Sequence, residues 1–249
     1  MNKTCRRWKR KDEAMKVWCV WEHNGNDSIL YANHFVGAFT RGETEQKAIR
    51  KMPAEICSYL KWIGKEITEP IEIEIVQEKA SELTISDADS DVLFDEERKP
   101  LSLAEYEERK SLALRSAQDL LALYQAIPDK DKSVLPSRTT FYGPRPRTAQ
   151  EMYEHTKNVN AYYFGEIDVP ADNDGTIKEC RERGFAMLES QSDFLANKVC
   201  LGSYGEEWSL RKVLRRFLWH DRIHAKAMYR MAVKTFGADA IPNVFFFSL

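Results

Sequence analysis

Apolar and polar residues follow two different rhythms along this chain, and the change falls near residue 100. Before it, apolar residues come in short clusters or alternate. After it, they recur at three- and four-residue spacing over long stretches. Val17-Trp18-Cys19-Val20-Trp21 is rich in β-branched and aromatic side chains and predicts a strand. Residues 23–28 (His-Asn-Gly-Asn-Asp-Ser) predict a turn, and Ile29 to Phe39 supplies further strand, broken near Gly37. A helix is predicted over 45–65, with Thr44 as its N-cap and Ile49, Met52, Ile56, Leu60 and Ile63 as its apolar stripe. Pro53 predicts a kink there, or a later start. Ile71 to Val76 alternates at period two and predicts a half-buried strand.

The second half predicts four amphipathic helices. The first runs over 103–127, with Ala113, Ala117, Leu120, Leu121 and Tyr124 on one face. The second covers 149–167 behind Thr148 as cap, the third 174–197 and the fourth 207–236, ended by Gly237. Loops of several residues join them, which describes a four-helix bundle. The expected fold class is therefore α+β: a small strand-strand-helix-strand domain over 17–78, an acidic linker over 79–101, and a bundle over 102–249. Val244 to Phe247 is too apolar to face water, so it is expected to pack back on the bundle or to form a subunit contact, which makes a homodimer one expectation.

Composition narrows the function. With 37 basic and 39 acidic residues and a formal charge of −2, the whole molecule is no polyanion binder. Residues 1–16 form a basic arm that reads as a solvated tail, and nucleic-acid binding is expected of nothing else. No apolar run approaches the roughly 18 residues of a membrane span. Five scattered cysteines without a CxxC, and no leader-like N-terminal run, lead to the expectation of reduced thiols and a cytoplasmic location. The linker carries seven acids between Glu82 and Glu97 and is expected to be solvated. Asp87, Asp89 and Asp91 start like a calcium loop, but Val92 and Arg98 stand where that loop needs glycine and glutamate.

The chemistry rests on histidine. The stripe of the fourth helix reads Val213, Phe217, His220, His224, Ala227, Met228 and Met231, so two of the five histidines lie four residues apart on its inner face. The second helix carries a stripe of Met152, His155, Val159, Tyr162 and Glu166. Imidazoles on facing helices can share one metal ion. By spacing alone they can equally be hydrogen-bonded core histidines or a stacked pair. Arg216, one turn before His220, is a candidate for binding an anionic substrate group. Tyr162 is a candidate for lining the substrate pocket, and Glu166 for an acid supporting the ligands. Trp208 and Trp219 read as packing residues. No serine-histidine-acid order or phosphate-cradling glycine loop is present.

Two stretches carry a family resemblance. Met152-Tyr153-Glu154-His155 through Tyr162, with Glu207-Trp208-Ser209 through His220-Asp221-Arg222-Ile223-His224, resembles the DinB superfamily of DinB/YfiT-like metalloenzymes over about residues 102–236. That resemblance implies a divalent transition metal (Zn, Ni or Fe) on His155, His220 and His224. It further implies a small-molecule substrate, and activation of a low-molecular-weight thiol or of water, as in a thiol S-transferase or a hydrolase. Phe35-Val36-Gly37-Ala38-Phe39-Thr40-Arg41-Gly42-Glu43-Thr44 and the helix after it resemble the HicB-like fold over 17–77. This implies an accessory domain, with antitoxin-like binding as its alternative. The competing expectation for the whole chain is a non-catalytic binding protein, stabilised by its metal and acting through the HicB-like domain.

Overall fold

In the computed structural model, which describes residues 14–140 and 143–248, the chain is α+β. The basic arm up to residue 13 lies outside the described residues. The first strand already includes Met15 and Lys16: β1 spans Met15–His23, β2 Ser28–Ala32, β3 Phe39–Gly42 and β4 Ile71–Ala80, with α1 (Glu45–Trp62) between β3 and β4. The sheet order is β3-β2-β1-β4; β1 is antiparallel to β2 and parallel to β4. Three strands thus precede the helix where the sequence predicted two. The cause is the turn over residues 33–38, closed by the Ala38 amide on the Phe35 carbonyl. Gly37 sits there at φ +94°, and a Cβ on it would lie 2.6 Å from the Cβ of Leu218. Only glycine lets this turn press so closely on the last helix.

β4 runs four residues beyond the predicted strand because it pairs with β1 from Met15↔Ile71 to His23↔Ala80, around a bulge between Cys19 and Val20. Thr44 accepts the Lys47 amide and caps α1, which continues through Pro53 but ends at Trp62, three residues early, before Gly64 at φ +75°.

The sheet is covered on both faces, so every residue of β2 is buried. Val17, Cys19, Leu30 and Ala32 join Met52, Ile56 and Tyr59 of α1 in one core. The alternate residues Val20, Ile29 and Tyr31, with Phe39, face Ile85, Val92, Phe94 and Trp219. Three of those four partners come from the acidic segment that composition predicted to be solvated. It is instead a strap whose Ile85, Val92, Leu93 and Phe94 are buried, with two 3-10 turns at Ile85–Asp87 and Asp95–Arg98. Net charge misled here because apolar residues sit between the acids.

The helices α2 (Leu103–Ala126), α3 (Ala149–Gly165), α4 (Ile177–Glu189) and α5 (Leu210–Phe236) follow. Capping boxes open the first three: Ser102 with Glu105, Thr148 with Glu151, Thr176 with Glu179. α4 is much shorter than predicted. Its apolar pattern stops at the polar run 190–193, and Asp193 and Asn197 adopt left-handed backbone on either side of a 3-10 turn at Phe194–Ala196. α5 starts at Leu210 because Glu207–Trp208 pairs with Cys200–Leu201, and Ser209 then caps the helix. α5 packs on α2 and α3, and those two pack on α4. No helix among the described residues is long and apolar enough to cross a membrane.

The first half of α5, Leu210–Arg222, is buried on all sides, including its cations. Arg181 of α4 makes a two-pronged pair with Asp221 (2.5 and 3.1 Å), which also accepts the Ser116 hydroxyl. Arg215 pairs with Glu97 of the strap (2.5 and 3.0 Å) and donates to the Val92 carbonyl. Lys212 donates to the Asp91 and Glu207 carbonyls, 2.7 Å each. Arg222 reaches Glu55 of α1 (2.6 Å) under the rings of Tyr59, Trp62 and Phe247. The apolar tail closes that last contact: Phe245 and Phe247 are buried within the chain, Phe245 against Trp62 and Phe247 stacked on Phe245, and Ser58 donates to the Phe246 carbonyl.

Removing one partner of such a pair strands a buried charge. Glu97→Ala, which orphans Arg215, is expected to cost about 3–5 kcal/mol in urea unfolding. Glu43→Ala, which removes an exposed partner of Lys47, is expected to leave the midpoint unchanged. Equal midpoints for the two variants would contradict this account of the strap.

Candidate metal centre

The three histidines of the sequence pattern meet in space. Each of His155, His220 and His224 offers one ring nitrogen, and those three atoms lie within 4.8 Å of one another. The ring centroids are 4.4 Å apart for His220 and His224, 4.6 Å for His155 and His224, and 5.3 Å for His155 and His220. Residues four apart on α5 stack one above the other, which brings two of the rings together. The third comes from α3, where the buried stripe differs from the predicted one. Met152, Thr156, Asn160, Tyr163 and Phe164 are buried, whereas His155 and Val159 are half-buried and Tyr162 is exposed. His155 therefore stands at the edge of the α3 stripe, turned towards α5, rather than on its centre line.

The environment keeps these rings neutral. Burial pushes the proton affinity of His220 well below the ordinary imidazole value, and the nearby charges of His224, His155, Arg216 and Arg181 push the same way. His224 is lowered well below it by burial, by His155 and by Arg145. Burial lowers His155 too. A neutral imidazole presents the lone pair that a metal needs.

The residues fit a divalent transition metal. Three atoms so spaced have a common point within about 2.8 Å of each, so side-chain movements of less than about 1 Å reach the ~2.0–2.1 Å of a metal–imidazole bond. Nδ1 of His220 is buried without a hydrogen-bond partner among the described residues, a group whose desolvation typically costs about 1–3 kcal/mol. The ring of Tyr163 packs edge-on against His220 at 5.9 Å and fixes its inner side.

The other candidates lie elsewhere. Arg216 is buried and donates to the Ser90 carbonyl at 2.9 Å, with its guanidinium over Trp219, Tyr163 and Trp208. Its charge is felt at His220, but it braces α5 to the strap instead of facing open space. Tyr162 packs against Trp208. Glu166 accepts the Ser203 amide at 2.6 Å and fills the space beside Gly202, so it holds the 200–208 loop. Trp219 packs on Tyr31 and Phe39 and joins α5 to the sheet.

A cleft of about 700 Å³ opens beside the histidines, and His224 is the one that lines it. Its walls come from β3 and α1 on one side and α5 on the other, with Ser86–Ala88 of the strap and the loop around Arg145 completing them. Sequence reasoning missed Arg145, whose positive charge reaches His224 from a loop without periodicity. It also missed Tyr163, which a stripe drawn through Thr156 and Asn160 would have included. Compared with protein-family models, curated proteins and solved structures, the chain has no significant match.

A depressed histidine makes the metal-free chain acid-sensitive. Below about pH 6.5 the unfolded histidines bind protons that the folded ones refuse. Stability therefore falls as pH drops, by up to about 1.4 kcal/mol per pH unit for each ring that stays neutral. Buried Glu22 and Asp221, both raised by desolvation, act in the opposite sense. The readout is thus the difference between chains: from pH 7.5 to 5.5 the urea midpoint of metal-free wild type should fall further than that of His220→Gln. Parallel pH profiles would show that His220 is not held neutral.

Proposed function

We propose that this protein is a metal-dependent enzyme of the DinB-like superfamily, with His155, His220 and His224 holding one divalent transition metal, Zn, Ni or Fe. The observation that carries the reading is the convergence of three imidazoles from two helices, one of which, His224, lines a cleft large enough for a small molecule. Three protein ligands leave a coordination position open, unlike a closed structural site. A metal bound there supplies Lewis acidity, which makes a nucleophile of water or a thiol near neutral pH. Transfer of a low-molecular-weight thiol to an electrophilic small molecule is the first reaction class, and hydrolysis the second.

The chain's own residues supply the setting. Tyr163 and the buried side of α5 keep water from the back of the histidines, so that the open side faces the cleft. His224 is the one of the three histidines that lines the cleft, so a metal held by them would act on a molecule bound there. The HicB-like reading of the N-terminal unit rests on a helix set between strands of one sheet, with three strands before α1 instead of the two it expected. Because β3 and α1 line the cleft, the unit serves the site as an accessory domain.

Elemental analysis of dialysed protein tests this. Wild type should retain close to one equivalent of a transition metal per chain, and His155→Ala and His220→Ala less than about a tenth. Metal should raise the thermal midpoint of wild type alone. The loaded protein should turn over a chromogenic aryl halide with an added thiol, or a nitrophenyl ester, and the variants should not. No metal in wild type after reconstitution would overturn the proposal. Metal with a stability gain but no turnover would favour the non-catalytic binding protein.

A further inference from the structure

The cleft beside His224 is strongly basic although the protein as a whole is not. Seven lysines and arginines line it against two acids, Glu55 and Asp87. Both acids are already engaged: Glu55 by Arg222 and Lys226, Asp87 by Arg138. Arg41 is likewise engaged, by Asp27 and by the Ile85 and Ser86 carbonyls. What remains is Arg50 and Lys51 from α1, Arg145 from the α2–α3 loop, and Arg230 and Lys234 from α5. Lys51 donates only to the Arg41 carbonyl. For the other four side chains there is no hydrogen bond or ion pair among the described residues. These five side chains are exposed, so each alone is an ordinary solvated cation; what sets them apart is that they line one concavity whose two acids are already engaged.

We propose that the cleft binds a small organic polyanion, a molecule with two or more phosphate or carboxylate groups. The groups are gripped by Arg50 and Lys51 on one wall and by Arg230 and Lys234 on the other. Like charges gathered around one concavity raise its potential and attract a compensating anion. Guanidinium groups on opposite walls suit a ligand with separated anionic groups better than a single ion. The volume of about 700 Å³ is that of a small-molecule site. Arg145 and His224 also line the cleft, so a ligand held there lies beside the histidines. This names the substrate class for the proposed metal centre and rests on that reading for the chemistry beside the histidines. The N-terminal unit thereby takes part in binding, since α1 carries half of the grip.

The test is calorimetric titration of the full chain with two probes, fructose 1,6-bisphosphate and propane-1,2,3-tricarboxylate. The double variant Arg50→Gln/Arg230→Gln removes one cation from each wall. Both residues are exposed and unpaired, so folding should be unaffected, which circular dichroism checks. Lys65→Gln/Lys198→Gln removes two exposed cations that do not line the cleft. At least one probe should bind wild type, at least tenfold more weakly to the cleft variant and within twofold of wild type to the control variant. Binding should persist in His155→Ala, whose altered residue does not line the cleft. Persistence there, in a protein without metal, would keep the anion site even if the metal reading failed. Binding of neither probe, or equal weakening in both double variants, would overturn the proposal. Tighter binding of a 20-nucleotide single strand than of either probe would also overturn it and reassign the cleft to nucleic acid.

Discussion

The structure is organised by the need to partner charges buried along one helix. Lys212, Arg215 and Arg222 are almost wholly buried on α5, and Arg216 nearly so. A buried cation without a partner is costly enough to unfold a domain of ordinary stability. Three of them, Lys212, Arg215 and Arg216, are met by the strap, and Arg222 by α1 and the aromatic tail. Asp221 extends the same rule to α4 through Arg181. These contacts fix where the strap, the sheet, α1 and the tail must lie, because another placement would leave a charge unmet.

The histidine cluster depends on that arrangement. His220 lies between Trp219, anchored on the sheet, and Asp221, anchored on Arg181. The α5 backbone around it therefore has little freedom to rotate. On α3, Asn160 donates to the Asp172 and Cys180 carbonyls and ties the helix to the start of α4, which sets the rotation that turns His155 to the edge. A metal or substrate site must be organised before its ligand arrives. Here the organisation comes from salt bridges and caps outside the site. The cleft follows from the same geometry: α1 is held to α5 at Glu55, and the space beyond that contact remains open between them.

Much of this was legible in the sequence. Period two against period three to four separated the sheet from the helices, and the capping residues Thr44 and Thr148 marked where two helices begin. His220 and His224 were legible because i, i+4 spacing fixes a shared face whatever surrounds the helix. His155 was found through a stripe whose centre was misplaced by about one position, and the same displacement made Tyr162 a site candidate instead of Tyr163. A stripe model assumes one buried face, so it missed that α5 is buried on several. For the same reason it offered Arg216 to an open site mouth when the strap covers it. The strap was misread because seven acids outweighed Ile85, Val92 and Phe94, whose partners are distant in sequence. The basic cleft was invisible for that reason too: its cations come from α1, a loop and α5, and each alone looks like an ordinary solvated residue.

The central claim is that three imidazoles from α3 and α5 hold one metal ion at the wall of the cleft. A crystal structure of the purified protein, with diffraction recorded above and below the absorption edge of the metal it carries, tests this most directly. The account requires one anomalous peak bonded to a ring nitrogen of His155, His220 and His224 at about 2.0–2.1 Å, with an open side towards Arg145 and Arg230. A histidine cluster with no peak, or an ion closed off by a fourth protein ligand, would contradict it.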